Sequence, residues 1–434
     1  MKNIVLTKAL SSSCNAQLLK GCSLFVEDSS THIVYFVNLE GIIVLDENFK
    51  TKTVIPCRDQ FDYFDPVSID LLQDRNEVCI ILKNAQVITM DVESYAICTV
   101  GFLGETCLAT AWSPDETILT VSEDDRVVFY DGSFEIINYW NLSNSDTGKE
   151  SLVAVGWGSA ETQFQGSAGK AVRKPVEVSR SAYPEDSHNS YIRWRADGSV
   201  VTVSFHERES DERRIAVFNR DGELMARLKN YESLEEIFSI RPSGNCIATT
   251  TRSSDGARML VFYEKNGEKR REMLLSPMAD QSKIINMQWD VEASCLCVHV
   301  QYNDKEELEL WTESNYDWKR QWTASFKGAL NWKWDTEKAR RMCVLLNDGV
   351  YIRLYFSRLL GLVGSTALVV GTGTLHLTDF ERCPVPPPLY EYALTIKGAA
   401  HSYAFDDSRL AVIDSDMTLH VCGLFVKYNV FFSQ

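Results

Sequence analysis

Apolar runs of four to six residues alternate along this chain with tight polar turns, and one phrase keeps returning. It consists of an apolar stretch, an aromatic or large apolar residue, an Asp/Ser/Gly turn and a second apolar stretch. It reads Ala111-Trp112-Ser113-Pro114-Asp115 before Ile118-Leu119-Thr120-Val121, and Ile192-Arg193-Trp194-Arg195-Ala196-Asp197-Gly198 before Val200-Val201-Thr202-Val203. It returns as Ile240-Arg241-Pro242-Ser243-Gly244, Met287-Gln288-Trp289-Asp290, Trp332-Lys333-Trp334-Asp335 and, more faintly, Ala404-Phe405-Asp406-Asp407. Anchored on Trp112, Trp194, Ile240, Trp289 and Trp334, the spacings are 82, 46, 49 and 45 residues. Three of them match the roughly 40–50-residue period of a β-propeller blade, and the first is two blades or one blade plus an insertion.

The rest of the pattern agrees. Ser23-Leu24-Phe25-Val26, Ile33 to Val37 and Ile42 to Leu45 read as strands, as do Val78 to Leu82, Val87 to Asp91 and Val127 to Tyr130. The last closes on Asp131-Gly132, a pair suited to a type I′ turn. Later strands run into Asn219-Arg220-Asp221-Gly222 and Glu264-Lys265-Asn266-Gly267, where Gly or Asn accepts positive φ. The aromatics Phe129, Tyr130, Phe218, Phe262, Tyr263 and Trp311 are expected between blades. No sustained 3.6-residue period or heptad is present. The expectation is an all-β, WD-type β-propeller of about seven four-stranded blades, with room for an eighth, over residues 1–422. Trp112, Trp194, Trp289 and Trp334 are expected to be buried between blades.

Three stretches break the pattern. Residues 151–190 lose strand alternation, Pro384-Val385-Pro386-Pro387-Pro388 cannot sit in a central strand, and residues 423–434 form an atypical C-terminal tail, read as the mark of a truncated product.

Composition narrows the function. The chain has 434 residues, 45% hydrophobic, with a net charge of −16 and a pI of about 5.0. That balance repels phosphate backbones and argues against a broad nucleic-acid face. The short basic clusters Arg173-Lys174, Arg213-Arg214, Lys269-Arg270-Arg271 and Arg340-Arg341 read as loop tips. Twelve cysteines include no C-x-x-C, so zinc ribbons and redox motifs lack their spacing. Cys295 and Cys297, two apart on a strand, are expected to share one buried face. Ile4-Val5-Leu6 is too short for a secretory signal. Leu359 to Thr378 carries no Asp, Glu, Lys or Arg, but its four glycines suit short strands and turns better than a membrane span.

No motif carries chemistry. Gly166-Ser167-Ala168-Gly169-Lys170 suggests a phosphate loop, yet Phe164 stands where the first Gly belongs and Ala171 where Ser or Thr belongs. Gly371-Thr372-Gly373 lacks its third glycine and a βαβ context. The seven histidines make no metal or triad spacing, and His299 alternates in a strand as a core residue would. No catalytic, cofactor-binding or metal-ligating residue is expected.

The interruption itself is specific. Val155-Gly156-Trp157-Gly158, then Glu161-Thr162-Gln163-Phe164 and Gly166-Ser167-Ala168-Gly169, closely resembles a block in the N-terminal WD-repeat propeller region of the Elongator complex protein 1 family, the largest Elongator subunit. Trp112 to Asp115, Trp194 to Gly198, Phe262 to Gly267, Leu310-Trp311-Thr312 with Asn315-Tyr316, and Val385 to Pro388 follow in the family's order. The resemblance implies a noncatalytic scaffold module in the cytoplasm, without a cofactor of its own. Its partners are other Elongator subunits: the catalytic radical-SAM/acetyltransferase subunit and the second WD-repeat subunit. The chemistry it supports is the acetyl-CoA- and S-adenosylmethionine-dependent C5 carboxymethyl-type modification of the tRNA wobble uridine, U34. tRNA is reached only through the complex, and no membrane is involved. Trp157, Glu161, Thr162, Gln163, Phe164 and Lys170 are the expected partner-contact segment. The chain departs from the family by stopping near the end of the first propeller. The alternatives are a WD-type adaptor outside Elongator and a propeller hydrolase with a metal in its channel.

Overall fold

A computed structural model describes residues 4–423, apart from 143–185 and the short stretches 13–14, 208–210, 230–232, 245, 253–256, 277–281, 303–304, 315–316, 329, 359, 364, 372–373, 382, 385–388, 397–399, 406–408 and 415–417. The chain opens with strand β1 (Ile4–Ser11) and a single helical turn, α1 (Ala16–Leu19). Six antiparallel four-stranded meanders follow. The first is β2 to β5 (Leu24–Glu27, Val34–Val37, Gly41–Leu45, Thr51–Pro56); the second is β6 to β9 (Pro66–Leu72, Glu77–Leu82, Gln86–Asp91, Ile97–Phe102). The third is β10 to β13 (Ala109–Trp112, Ile118–Ser122, Arg126–Asp131, Ile136–Asn141), and the fourth β14 to β17 (Tyr191–Trp194, Val200–Glu207, Glu212–Asn219, Leu224–Arg227). The fifth is β18 to β21 (Ser233–Ile240, Cys246–Arg252, Arg258–Glu264, Lys269–Ser276), and the sixth β22 to β25 (Ser282–Trp289, Leu296–Tyr302, Lys305–Ser314, Asp317–Lys327).

The seventh sheet has a different origin. β26 to β28 (Leu330–Trp334, Arg341–Leu346, Tyr351–Arg358) supply three strands, and β1 joins β28 as the fourth, Ile4 facing Arg358. Ile4-Val5-Leu6, too short for a signal, is therefore part of the closing strand. Seven sheets share seven apolar interfaces, each cluster drawing on two neighbouring blades. The cluster holding Phe25, Phe36, Leu345 and Tyr351 joins the last blade to the first, so the ring is closed. Closure leaves no sheet face without a neighbour.

Burial on both faces explains the sequence pattern. β3, β4 and β11 are buried at every position, which is why they read as unbroken apolar runs. Outer strands such as β5 and β9 are largely exposed. Trp289 and Trp334 are buried between blades, while Trp112 and Trp194 are half-buried against the same kind of cluster. The repeat is visible in hydrogen bonds: Trp194 Nε1 donates to the Ala111 carbonyl at 3.2 Å, and Trp334 Nε1 to the Gln288 carbonyl at 3.0 Å. Each indole reaches back one blade, to the residue before the preceding anchor.

A buried polar seam accompanies the closing cluster. The Glu27 carboxylate accepts from Arg341, from Tyr351 Oη and from Arg353 Nε at 3.1 Å. Arg341 also pairs with Asp335, which accepts from Ser29 Oγ at 2.8 Å.

Besides the half-buried Trp112 and Trp194, other expectations change: Arg213 and Arg341, from basic clusters read as loop tips, are buried on β16 and β27, where carboxylates pair with them. The turn at Asp131-Gly132 is not type I′: positive φ falls on Phe134, and the Asp131 carboxylate accepts from the Ser133 and Glu135 amides at 2.8 and 2.9 Å. The single ring expected over 1–422 closes at Arg358. Beyond it lie β29 to β32 (Leu360–Val363, Thr366–Gly371, Thr374–Asp379, Tyr392–Thr395) and β33 to β35 (Ala400–Phe405, Arg409–Asp414, Leu419–Gly423), two sheets with an apolar cluster of their own. β1 already occupies the fourth place in the last blade, so the following strands start a new sheet. Leu359 to Thr378 thus contributes three short strands, and among the described residues no helix is long and apolar enough to cross a membrane.

Candidate functional site

The expected partner-contact residues Trp157, Glu161, Thr162, Gln163, Phe164 and Lys170 lie outside the described residues, as does the Gly166–Lys170 stretch. The structure shows how the two ends of this interruption are held. It leaves from β13, the outer strand of the third blade, whose Ile136, Ile137 and Tyr139 are exposed at 57%, 46% and 55%. Trp140 turns inward instead, edge-on to Phe205 and Phe218 at 5.9 and 5.4 Å, under the Arg227 guanidinium at 5.2 Å. One face of β13 is thus fixed to the fourth blade while the other offers apolar surface.

The returning end, Asp186 to Asn189, is pinned by charge. Asp186 and Arg213 form an ion pair with both side chains buried, and Arg213 Nη1 donates to the Asn189 carbonyl at 2.7 Å. Burial pushes the Asp186 carboxyl up, but the Arg213 hydrogen bond and charge outweigh it and hold the group below its ordinary value. Ser187 donates its amide and hydroxyl to Glu236 at 2.5 and 2.7 Å, Tyr191 Oη adds a third bond at 3.1 Å, and Lys283 Nζ lies 3.1 Å away. Burial, then the Glu236 charge, raise the Tyr191 phenol. The foot of the interruption is therefore tied to the fourth, fifth and sixth blades. Sequence reading missed Glu235 and Glu236; the signal was an acidic pair inside the otherwise apolar β18. Glu235 pairs with Arg258 at 2.9 Å and Arg252 at 3.0 Å.

One cluster beside this foot has metal-ligand residue types. His188, His206 and Asp211 bring their ligand atoms within 4.8 Å of one another. The two imidazoles, however, are stacked at 3.9 Å with planes 13° apart, and His206 Nε2 sits 3.0 Å from Asp211. Lone pairs lying in parallel planes cannot converge on one ion at the roughly 2.0–2.1 Å that zinc requires. The arrangement is that of a stacked pair with a carboxylate partner. His299, read as a core histidine, is buried and meets Glu306 at 2.8 Å. Cys295 and Cys297 are both buried in one cluster, and burial raises both thiols.

Residues 1–337 match the family model described as the ELP1 first N-terminal β-propeller. Elongator complex protein 1 of Mus musculus is 28% identical over 383 residues, covering 82% of this chain and 29% of its own length. The putative elongator complex protein 1 of Xenopus laevis is 31% identical over 295 residues, covering 63% of this chain and 25% of its own. Elongator complex protein 1 of Saccharomyces cerevisiae is 26% identical over 399 residues, covering 80% and 29%. The chain therefore spans less than a third of the length of these relatives. Among solved structures, a chain described as "Crystal Structure of Mitotic Checkpoint Complex" superposes with a TM-score of 0.53 at 12% identity, covering 82% of this chain and 93% of that one. That is a likeness of fold alone.

Proposed function

This chain belongs to the ELP1 first N-terminal β-propeller family, and from that premise we propose that it is a noncatalytic, WD-type scaffold module of the Elongator complex. The observation that carries this reading is the family match over residues 1–337, which falls on the seven-bladed ring. A closed ring with an apolar cluster at every blade junction is a stiff body, suited to holding partners in fixed relation. The module works in the cytoplasm beside the catalytic subunit and the second WD-repeat subunit. It supports carboxymethyl-type modification at C5 of wobble uridine U34, with tRNA reached through the complex.

The partner surface we propose is the 157–170 segment together with the exposed side of β13 from which the interruption leaves. Both ends of the interruption are anchored to the ring, Trp140 against Phe205 and Phe218 and Asp186 on Arg213, which fixes where the segment leaves the ring and where it returns. The test is affinity purification of the tagged full chain with mass spectrometry. Co-purification of the catalytic Elongator subunit is the expected result. Replacing Glu161 to Phe164 with Gly and Ser should weaken that association while leaving the melting temperature nearly unchanged. A folded chain that returns other proteins but no Elongator subunit would favour the adaptor reading.

A further inference from the structure

Strands β2, β6, β10, β14, β18, β22 and β26 lie innermost in the ring, each in contact with the next from β2 to β26. Together they carry seven charged residues: Glu27, Asp70, Arg193, Glu235, Glu236, Lys283 and Lys333. Four of these are neutralised at close range, Glu27 by Arg341 and Arg353, Glu235 by Arg252 and Arg258, and Glu236 by Lys283. Among the described residues Asp70, Arg193 and Lys333 form no ion pair: Asp70 has a hydrogen bond from Ser68, Arg193 Nη1 donates to the Ile192 carbonyl at 3.3 Å, and Lys333 Nζ lies 5.9 Å from the centre of the Phe25 ring.

The strand register puts these three at one level. Asp70 lies opposite Cys79, Arg193 opposite Thr202 and Lys333 opposite Cys343, each one residue before the anchor position held by Leu71, Trp194 and Trp334. They come from the second, fourth and seventh blades, which are not neighbours, so their charges can meet only across the axis. Across the axis the Asp70 charge favours the charged form of both cations, and the Arg193 charge opposes that of Lys333. The other blades place Val26, Ala111, Ser239 and Gln288 at this level, all uncharged. The level therefore holds two cations against one carboxylate inside a protein of net charge −16.

We propose that the axial channel is a binding site for a small oxyanion of the phosphate class, held between Arg193 and Lys333. Arg193, Lys333 and Asp70 are half-buried, so a ligand can reach the cations, and the one carboxylate balances only half of their charge. Burial pushes Lys333 and Arg193 down and Asp70 up, while the charge of Asp70 acts the other way on both cations. Guanidinium and ammonium groups together suit a phosphate-type ligand, the first by its fork geometry and the second as a point charge. Gln288 has its Oε1 engaged by the Trp334 amide at 3.4 Å, which leaves its NH2 as a further donor at the same level. Asp70 opposes the ligand and sets the affinity low.

The experiment is thermal melting and calorimetric titration of the full chain with inorganic phosphate, against chloride at matched ionic strength. The wild type should show a saturable rise in melting temperature with phosphate. Lys333→Met and Arg193→Met should each weaken phosphate binding at least tenfold. Asp70→Asn, which keeps both cations and removes the opposing charge, should tighten it by about tenfold. That variant decides the matter even if a cation variant fails to fold. An equal phosphate response in wild type and Asp70→Asn, or a weaker one in the variant, overturns the proposal.

Discussion

Replacing Glu27 with Gln should open the ring at its seam. The Glu27 side chain is 6% exposed and serves Arg341, Arg353 and Tyr351 of the closing blade at once, with the Cys343 thiol at 3.1 Å. Gln keeps the volume, removes the charge and turns an amide donor towards two guanidiniums. Breaking a buried ion pair by removing one partner costs about 3–5 kcal/mol. Arg341 retains Asp335, and Arg353 retains the Glu47 and His32 carbonyls at 2.8 and 2.7 Å, so the loss belongs at the lower end, about 3 kcal/mol. With an unfolding entropy of about 2.1 cal/mol/K per residue over about 350 ring residues, that corresponds to a fall in melting temperature of about 4 °C. Hydrogen exchange should accelerate first in β1 and β28, whose pairing closes the ring. A melting temperature within about 1 °C of wild type, a quarter of that shift, would refute the seam. So would exchange that quickens evenly around all seven blades.

Three further outcomes test the reading. Trp334→Ala should lower stability by about 3–5 kcal/mol in a denaturant titration, while Trp334→Phe, which loses the indole bond to Gln288, should keep most of it; equal losses would contradict the anchor role. Burial pushes the Asp115 carboxyl up, but hydrogen bonds from Ser113, Arg220 and Thr117 outweigh it and hold it at about 2. A depressed carboxyl stabilises the fold fully above its unfolded value of about 3.9 and loses that contribution as pH falls towards 2, so Asp115→Asn should flatten the acid limb of melting temperature against pH. Native alkylation at pH 7.5 (about one pH unit below the ordinary thiol value), read by mass spectrometry, should modify exposed Cys98 while sparing Cys107, whose thiol burial pushes up to about 12.

The blade period was legible because every inner strand must present the same kind of residue to the blade before it. Trp194 and Trp334 show the physical reason, since each spends its indole N–H on a backbone carbonyl one blade back. The both-sided burial of β3, β4 and β11 likewise writes itself as unbroken apolar runs. Turn chemistry was only half legible. Gly222 and Gly267 take positive φ as expected, but Phe49 and Phe134 do so as well. There an Asp carboxylate, Asp46 or Asp131, caps the amides across the turn and takes over what glycine does elsewhere.

The period predicts about seven blades, as found, but does not say which strands close the ring. A repeat records the contact between one blade and the next, and that contact is the same in a ring of seven as in a ring of eight. Closure is recorded elsewhere, in pairings such as Ile4 with Arg358 and Glu27 with Arg341, which local patterning does not encode. The strands after Arg358 look like those before it, and β29 to β32 do form a four-stranded sheet. What excludes that sheet from the ring is β1, a short run that reads as unremarkable until its partner on β28 is known. The candidate partner surface follows the same division. Asp186 and Glu236 tie the interruption to the ring through pairings with Arg213 and Ser187, 27 and 49 residues distant in sequence, so its anchoring is structural information even where its resemblance is legible in sequence.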